Sequence, residues 1–599
     1  MPFVTPAAIA KSYDVIVVGS GAAGGQSAYT LTMEGAKVLM LEAGRHYDPA
    51  TETPMFQTQD MAPLRGAGSP EKPFGFYDAT VDGGWTVPGE PYVQGSDVPA
   101  ERFEWWRSRM LGGRTNHWGR IALRNGPYDF KPKRRDGLGF DWPISYEEVA
   151  PYYDKVERLV GVYGSSEGME NTPDSPAGCL LPPPAPLVAD LLIAQRAPHV
   201  GVPIIPAHRA VLTRQLDYKN SPAILHPGNP KAQKIIAQDM KNRAACFFAT
   251  PCGRGCSIRA NYQSTTVHLP PALATGNLDI VTDAMVRQVD MGADGKARGV
   301  TFIDRQTGME HRATARVVVL AASACETVRI LLNSNSGRHS QGLANSSGKV
   351  GRYLMDTVGS SVSGQVPLLE GLPPLNEDGA SGDAIYSPWW LYQEQLAGKL
   401  GFARGYHVEI GTGRHLPQWT TMRGAEWLTG GSYGKRFKQD ARRYFGSFIS
   451  FDGRGEMIPN ENSYCEIDGN TVDRFGIPVL KFHWQWSPHE IDQVTHMQQT
   501  FADIFDAMGG RVHRKPSSGA EAIAPGGSII HEVGGCIMGE KRQTSVTNKW
   551  QQTWDVKNLF IADGAVFASN ADKNPTLTIM ALAWRASDHI LNAMRRKEL

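Results

Sequence analysis

The chain has 599 residues, with 61 Lys+Arg against 60 Asp+Glu and a formal net charge of +1. That balance excludes bulk binding to nucleic acid or to an anionic membrane surface, and 41% hydrophobic with 20% charged residues excludes a disordered chain. Seven cysteines are too few for a disulfide scaffold, while 64 glycines and 40 prolines without a collagen period indicate tight turns and long irregular loops. No stretch reaches the roughly 18 continuous apolar residues of a membrane span. Met1 to Ser12 lacks the basic start and apolar core of a secretory signal, so the chain alone is expected to be soluble and without an export address.

The first predicted element is a strand, Tyr13 to Val18, β-branched throughout as in a parallel sheet buried on both faces. A glycine-rich turn, Gly19 to Gly24, leads into a small-residue helix to Met33 and a second strand from Lys37 to Leu41, closing a βαβ unit at Glu42. Residues 48–105 read as long loops, and Gly112 to Trp118 as a second glycine-rich turn. Tyr146 to Val160 has an apolar stripe and reads as an amphipathic helix. Pro173 to Pro186 is an extended connection. Strands are expected at Asn277–Val281, Val286–Met291 and Arg316–Leu320, the last leading into a helix through Leu332. From 356 to 520 aromatic and alternating patterns, as in Tyr444 to Ile449, predict an antiparallel sheet over a cleft. A helix over about Pro488 to Met508 follows, then a strand and turn at Asn558–Gly564 and a C-terminal helix from Thr576 to Arg595.

Four blocks carry chemistry. In the first, Gly19 allows the tight turn, Gly21 lets backbone approach a pyrophosphate, Gly24 lets helix and strand pack closely, and the helix N-terminus faces phosphate. Glu42, 18 residues after Gly24, stands where a carboxylate meets ribose hydroxyls. The second runs from Arg109 through Gly112, Gly113, Asn116 and His117 to Trp118. The third begins at His531, continues through Gly534-Gly535-Cys536-Ile537-Met538-Gly539, and joins Asp563-Gly564 and Asn574-Pro575-Thr576.

The fourth is Cys246, Cys252 and Cys256, spaced C-x5-C-x3-C with Gly253 and Gly255 between the last two. Thiolates on short, turn-rich backbone suit an iron–sulfur cluster, and three of them suit [3Fe–4S] or a four-iron cluster with a foreign fourth ligand. Zinc is the alternative, with His268 completing a Cys3His site; three unpaired thiols are the simplest reading. Trp105, Trp389, Trp390 and Trp419 are candidates for stacking on a sugar, although such aromatics more often belong to the core.

From Tyr13 to His589 these blocks resemble the glucose-methanol-choline (GMC) oxidoreductase family. The resemblance implies an α/β fold: a Rossmann-like FAD-binding domain from 1–130, 265–355 and 525–599, and an α+β substrate domain with an antiparallel sheet over 356–524. Residues 131–264 would form the lid, the connection and the iron–sulfur insert. His531 and Asn574 match the family's catalytic pair, so His531 is expected to be a general base with a pKa near the working pH and Asn574 to donate a hydrogen bond to the developing alkoxide. The FAD contacts would come from Gly19, Gly21, Ala22, Ala23, Gly24, Glu42, Ala43, Arg109, Gly112, Gly113, Asn116, His117, Trp118, Gly119, Val286, Ala321, Asp563, Gly564, Asn574 and Thr576. In similar pyranose oxidases the histidine matching His117 is bonded to the flavin; the other reading of His117 is a ring packed beside it.

The text C-G-R-G-C-S-x-x-A-N is most similar to the catalytic subunits of bacterial FAD-dependent glucoside 3-dehydrogenases, some of whose relatives hold [3Fe–4S] on three cysteines. The implied activity is oxidation of a secondary hydroxyl of a sugar or glycoside, at C3 of glucosides, with electrons passing from FAD through the cluster to an external acceptor. A small twin-arginine-exported subunit and a cytochrome c would be the partners. Export with that subunit would make the chain periplasmic; a cytoplasmic enzyme is the alternative. A pyranose-type oxidase, a glucose, gluconate or fructose dehydrogenase acting at another carbon, and a noncatalytic electron-transfer flavoprotein are the competing functions.

Overall fold

A computed structural model describes residues 3–53, 83–248, 252–335, 337–373, 384–412 and 426–599. Trp419, residues 249–251 of the cysteine block and much of the 48–105 stretch lie outside them.

The N-terminal unit consists of strand β1 (Tyr13–Val18), helix α1 (Ala22–Met33) and strand β2 (Val38–Leu41). Val15, Ile16 and Val17 are fully buried, which is why this strand carries no polar face. Helix α2 covers Tyr146–Val160, starting on a capping box between Ser145 and Glu148 and ending at Gly161. Four strands follow: β3 (Leu278–Val281), β4 (Ala284–Met291), β5 (Ala297–Asp304) and β6 (Glu310–Leu320), and helix α3 (Ala324–Asn333) leaves the end of β6. β7 (Val358–Gln365), β8 (Ile385–Ser387), β9 (Tyr406–Gly411) and β10 (Phe448–Gly455) form the second sheet, covered by helix α4 (Pro488–Ala507). Strand β11 (Leu559–Ile561) and helix α5 (Thr576–Arg595) complete the chain.

Five strands make the parallel sheet, in the order β3, β2, β1, β6, β11. β6 is long enough to serve two sheets. Its residues 315–320 pair with β1, whereas 310–314 pair antiparallel with β5 in a meander that β4 completes. α1 packs against α5, so the two ends of the chain share one layer.

The second sheet is antiparallel in the order β7, β10, β9, β8. Alternation sorts its faces. Tyr406 hydrogen-bonds His496 and Thr500 of α4, and a Cβ at Gly453 or Gly455 would collide with Met497 or Gln493 of that helix. The intervening His407, Glu409 and Arg454 therefore point to the opposite face, toward the parallel-sheet domain.

One sequence expectation fails here, and of the two readings of Trp389 the core one holds. Tyr444 ends a helix, Gly434–Tyr444, and the strand begins only at Phe448; the aromatic alternation in Tyr444 to Ile449 mimics strand periodicity across the helix end. Trp389 is 1% exposed and packs on Tyr406, Phe402 and His496, so it belongs to the core rather than to a sugar platform.

Candidate active site

The C-terminal ends of β1, β2 and β6 open into a cavity of about 350 Å³. Ligands of open parallel sheets bind at this end. Gly19 turns with φ +97, and a Cβ there would stand 2.3 Å from the Ala321 carbonyl oxygen. A Cβ on Gly24 would stand 1.9 Å from the Gly19 oxygen, so this glycine serves helix–strand packing and does not line the cavity, whereas Gly21 has open space before it. The start of α1, with Ala22 and Ala23, faces the cavity with free N–H groups, as a pyrophosphate requires. Glu42 also lines it. Its carboxylate accepts from Ser20 N at 3.0 Å, Ser20 Oγ at 2.5 Å and Gly44 N at 2.7 Å, so its position is fixed before any ribose arrives.

Ala43, Arg109, Gly113, His117, Trp118, Gly119, Val286, Ala321, Asp563, Gly564 and Thr576 join the same lining. Gly112 and Asn116 stand behind it. Gly112 N donates to Ser20 Oγ, tying the second glycine turn to the first, and Asn116 Nδ2 donates to Leu111 O while its Oδ1 accepts from Gln263. Both ring nitrogens of His117 are buried without a partner among the described residues, its ring lies 4.2 Å from that of Trp106, and burial pushes its pKa well down. A neutral imidazole with an orphaned nitrogen at the cavity wall fits contact with a flavin.

Sequence reasoning misses Arg114 and its partners. Its guanidinium lines the cavity, pairs with Glu532 at 2.5 Å and donates to Ser323 Oγ at 2.5 Å. Arg109 is held between Glu90 at 2.8 Å and Glu326. These carboxylates come from separate stretches of the chain, Glu326 from within helix α3, and no local pattern marks them.

His531 and Asn574 meet at one edge of the cavity, with Nε2 and Nδ2 3.4 Å apart. The His531 main-chain N donates to Asp356 Oδ1 at 2.9 Å, and Nδ1 lies 3.1 Å from Thr357 Oγ1. Thr357 Oγ1 on one side and an amide donor on the other assign the proton to Nδ1 and leave Nε2 as the acceptor. Burial lowers the His531 pKa to about 3, against the pull of Glu409. The expectation of a pKa near the working pH is therefore corrected: burial favours the neutral imidazole even though its neighbours, Thr357, Asn574 and Glu409, are polar. Asn574 Nδ2 donates to Glu409 Oε1 at 2.9 Å, and its Oδ1 is buried without a partner among the described residues.

The cysteine block packs behind the same wall: a Cβ on Gly253 would lie 3.8 Å from the His117 oxygen. Phe248 N donates to Cys246 Sγ at 3.4 Å and Ala260 N to Cys256 Sγ at 3.3 Å. Burial, with the neighbouring Cys252 and Cys256, pushes the Cys246 thiol up to about 12, and Arg209 opposes this. Arg120 is buried within electrostatic reach of Cys252 and Cys256. Among the described residues these three sulfurs do not all lie within 4.8 Å of one another. A zinc ion with Zn–S bonds of about 2.3 Å would need them within about 4.6 Å. His268 is turned away, bonded to Tyr262 OH and packed on Tyr29. Zinc on Cys3His therefore does not fit this arrangement.

Cys325, Cys465 and Cys536, scattered in sequence, are also neighbours, fully buried in the core; burial first, and the adjacent Cys465, raise the Cys325 thiol. Among the described residues no helix is long and apolar enough to cross a membrane.

Comparison with known proteins places this geometry. Models described as GMC oxidoreductase match residues 223–359 and 459–583. The chain is 31% identical to 2-methyl-1,2-propanediol dehydrogenase of Mycolicibacterium austroafricanum over 97% of this chain and 95% of that one. It is 27% identical to the fructose dehydrogenase large subunit of Gluconobacter japonicus, covering 98% and 99%. Formate oxidase of Aspergillus oryzae shares the fold, with a TM-score of 0.60 at 14% identity over 98% of this chain and 99% of that one. With its glycine-turn cavity and full-length similarity to these dehydrogenases, the chain belongs to the GMC oxidoreductase family and is an FAD-dependent oxidoreductase acting on CH–OH donors.

Proposed function

We propose that this enzyme is a dehydrogenase that oxidises a secondary hydroxyl of a sugar or glycoside, at C3 of glucosides, to a ketone. The observation that carries the reading is the pair His531 Nε2 and Asn574 Nδ2, 3.4 Å apart at the edge of the nucleotide cavity. Neutral His531 accepts the hydroxyl proton at Nε2, and Asn574 Nδ2 donates to the oxygen as it gains alkoxide character. FAD, when bound, supplies the acceptor for the hydride that leaves the carbinol carbon. The start of α1 would hold its phosphates, Glu42 its ribose, and Arg114 and His117, on the cavity wall, would contact its ring.

Cys246, Cys252 and Cys256 would hold the iron–sulfur cluster that the resemblance implies; the N–H···S bond from Phe248 and the charge of Arg209 oppose the burial that raises the Cys246 thiol, and a second N–H···S bond reaches Cys256. Such a cluster supplies one-electron transfer and favours a protein acceptor over oxygen. Relatives named as a fructose dehydrogenase large subunit and a gluconate 2-dehydrogenase flavoprotein support a partnered enzyme. The partners would be a small exported subunit and a cytochrome c, and the compartment the periplasm. A second reading, oxidation of a short diol, is favoured by the diol dehydrogenase at 31% identity. Product analysis after turnover with glucosides, free sugars and 2-methyl-1,2-propanediol tests both. A 3-keto-glucoside supports the first reading, a diol-only product the second, and peroxide release under air with no iron in the protein removes the dehydrogenase assignment.

A further inference from the structure

Asn574 can donate to a substrate oxygen only if its amide is held the right way round, because a flipped amide would present Oδ1 instead. The acceptor that holds it comes from the other domain. It is Glu409 on β9, 2.9 Å from Nδ2. Glu409 is itself fixed: Arg454 on the neighbouring strand pairs with it at 3.2 Å, and His407 Nε2 lies 3.4 Å away. Burial would raise the Glu409 pKa, but Arg454 and His407 hold it well below the usual carboxylate range.

The anchoring continues behind His407. Its Nδ1 faces Asp572 at 3.7 Å; Lys573 Nζ sits between Asp572 at 2.7 Å and Asp129 at 3.0 Å. Burial would strip the His407 proton, yet Asp572 and Glu409 outweigh it and raise its pKa. Asp572 and Lys573 immediately precede Asn574. The catalytic amide is thus gripped twice, at its side chain by Glu409 and at its backbone by buried charges, and both grips lead to the same histidine on the sheet.

We propose that Glu409 is a positioning residue: held by Arg454 and His407, it fixes the Asn574 amide so that its second N–H stays beside His531 Nε2, where it would meet the substrate oxygen that loses its proton to the imidazole. This rests on the assignment of His531 and Asn574 made above. Glu409 accepts from the amide and not from the imidazole, so burial outweighs its pull on His531.

The test is anaerobic bleaching of bound FAD by methyl glucoside in the full chain, with Glu409→Asp in the wild-type and Asn574→Ala backgrounds. Aspartate keeps the charge for Arg454 and His407 but withdraws it by one C–C bond, about 1.5 Å. The expected result is bleaching roughly ten- to a hundredfold slower in the single variant, as for a small misplacement of a catalytic group. In the Asn574→Ala background the same change costs less than about twofold, because nothing remains to be positioned. FAD content and melting temperature stay at the level of the parent. Bleaching at the wild-type rate overturns the proposal, and so does an equal loss in both backgrounds, which a merely structural carboxylate would give. Should Glu409→Asp not retain FAD, Glu409→Ala, which removes the acceptor, takes its place in both backgrounds, and the same two outcomes overturn the proposal. If the wild-type holoenzyme is bleached by neither glucosides nor diols, the assignment of His531 and Asn574 fails and the positioning role with it.

Discussion

The two walls of the site are built differently. The nucleotide wall comes from loops after parallel strands, and its residues sit a few positions apart: Gly19, Gly21 and Ala22, or His531 and Glu532. The sheet wall offers alternate residues from separate strands, His407 and Glu409 from β9 and Arg454 from β10. A cofactor with rigid phosphates imposes backbone geometry at fixed spacing and so leaves a motif. A sheet face imposes only a period of two, which any buried strand shares. On the roles proposed above, the first wall would decide whether chemistry occurs, and the second how well its groups are aimed.

Substitutions can break that division, beginning with the largest effect. His531→Ala should retain FAD yet slow flavin reduction by roughly two to four orders of magnitude; wild-type rates in stopped flow would move the base elsewhere. Lys573→Met leaves Asp129 and Asp572 buried without their cation, and denaturant unfolding should show a loss of about 3–5 kcal/mol. A smaller loss would mean that the charges behind Asn574 are screened and cannot aim it. Cys252→Ser should lose iron by elemental analysis and lose turnover with cytochrome c, while the sugar still bleaches the flavin. Loss of bleaching would tie the cysteine block to the nucleotide wall itself.

A further effect concerns pH. Burial, then the nearby Glu532, raises the Asp356 pKa from 3.8 to about 7. Between those values the folded chain holds a proton that the unfolded chain has released. The corresponding stability is full below about pH 4, falls as pH rises through 7, and is level above. Asp356→Asn should flatten that slope in melting curves taken from pH 4 to 8; an unchanged slope would place the titration elsewhere.

What can be read in advance follows the same division. The bounds of β1, α2 and α5 are legible because each has a clean period and a terminal signal: β-branched residues before Gly19, Ser145 ahead of Glu148, Pro575 before Thr576. The helix Gly434–Tyr444 is not legible, since it buries no residue and most of its positions are charged or polar. Arg114 lies inside the second glycine-rich block, but its worth depends on Glu532, 418 residues away, and on Ser323. Glu409 has no signal at all; one acidic residue in a strand is ordinary until its partner Asn574 is brought to it by the fold. The three cysteines of the loop are conspicuous by spacing, whereas Cys325, Cys465 and Cys536 become neighbours only in three dimensions.

The long strand β6 has a mechanical corollary. Its first half is hydrogen-bonded into the meander and its second half delivers Ala321 and Ser323 to the cavity floor. Opening the meander frays the same backbone that shapes the nucleotide pocket. Amide exchange at Ala313 and Thr314, outside the pocket, should slow when FAD is loaded, making that hairpin edge a remote gauge of occupancy.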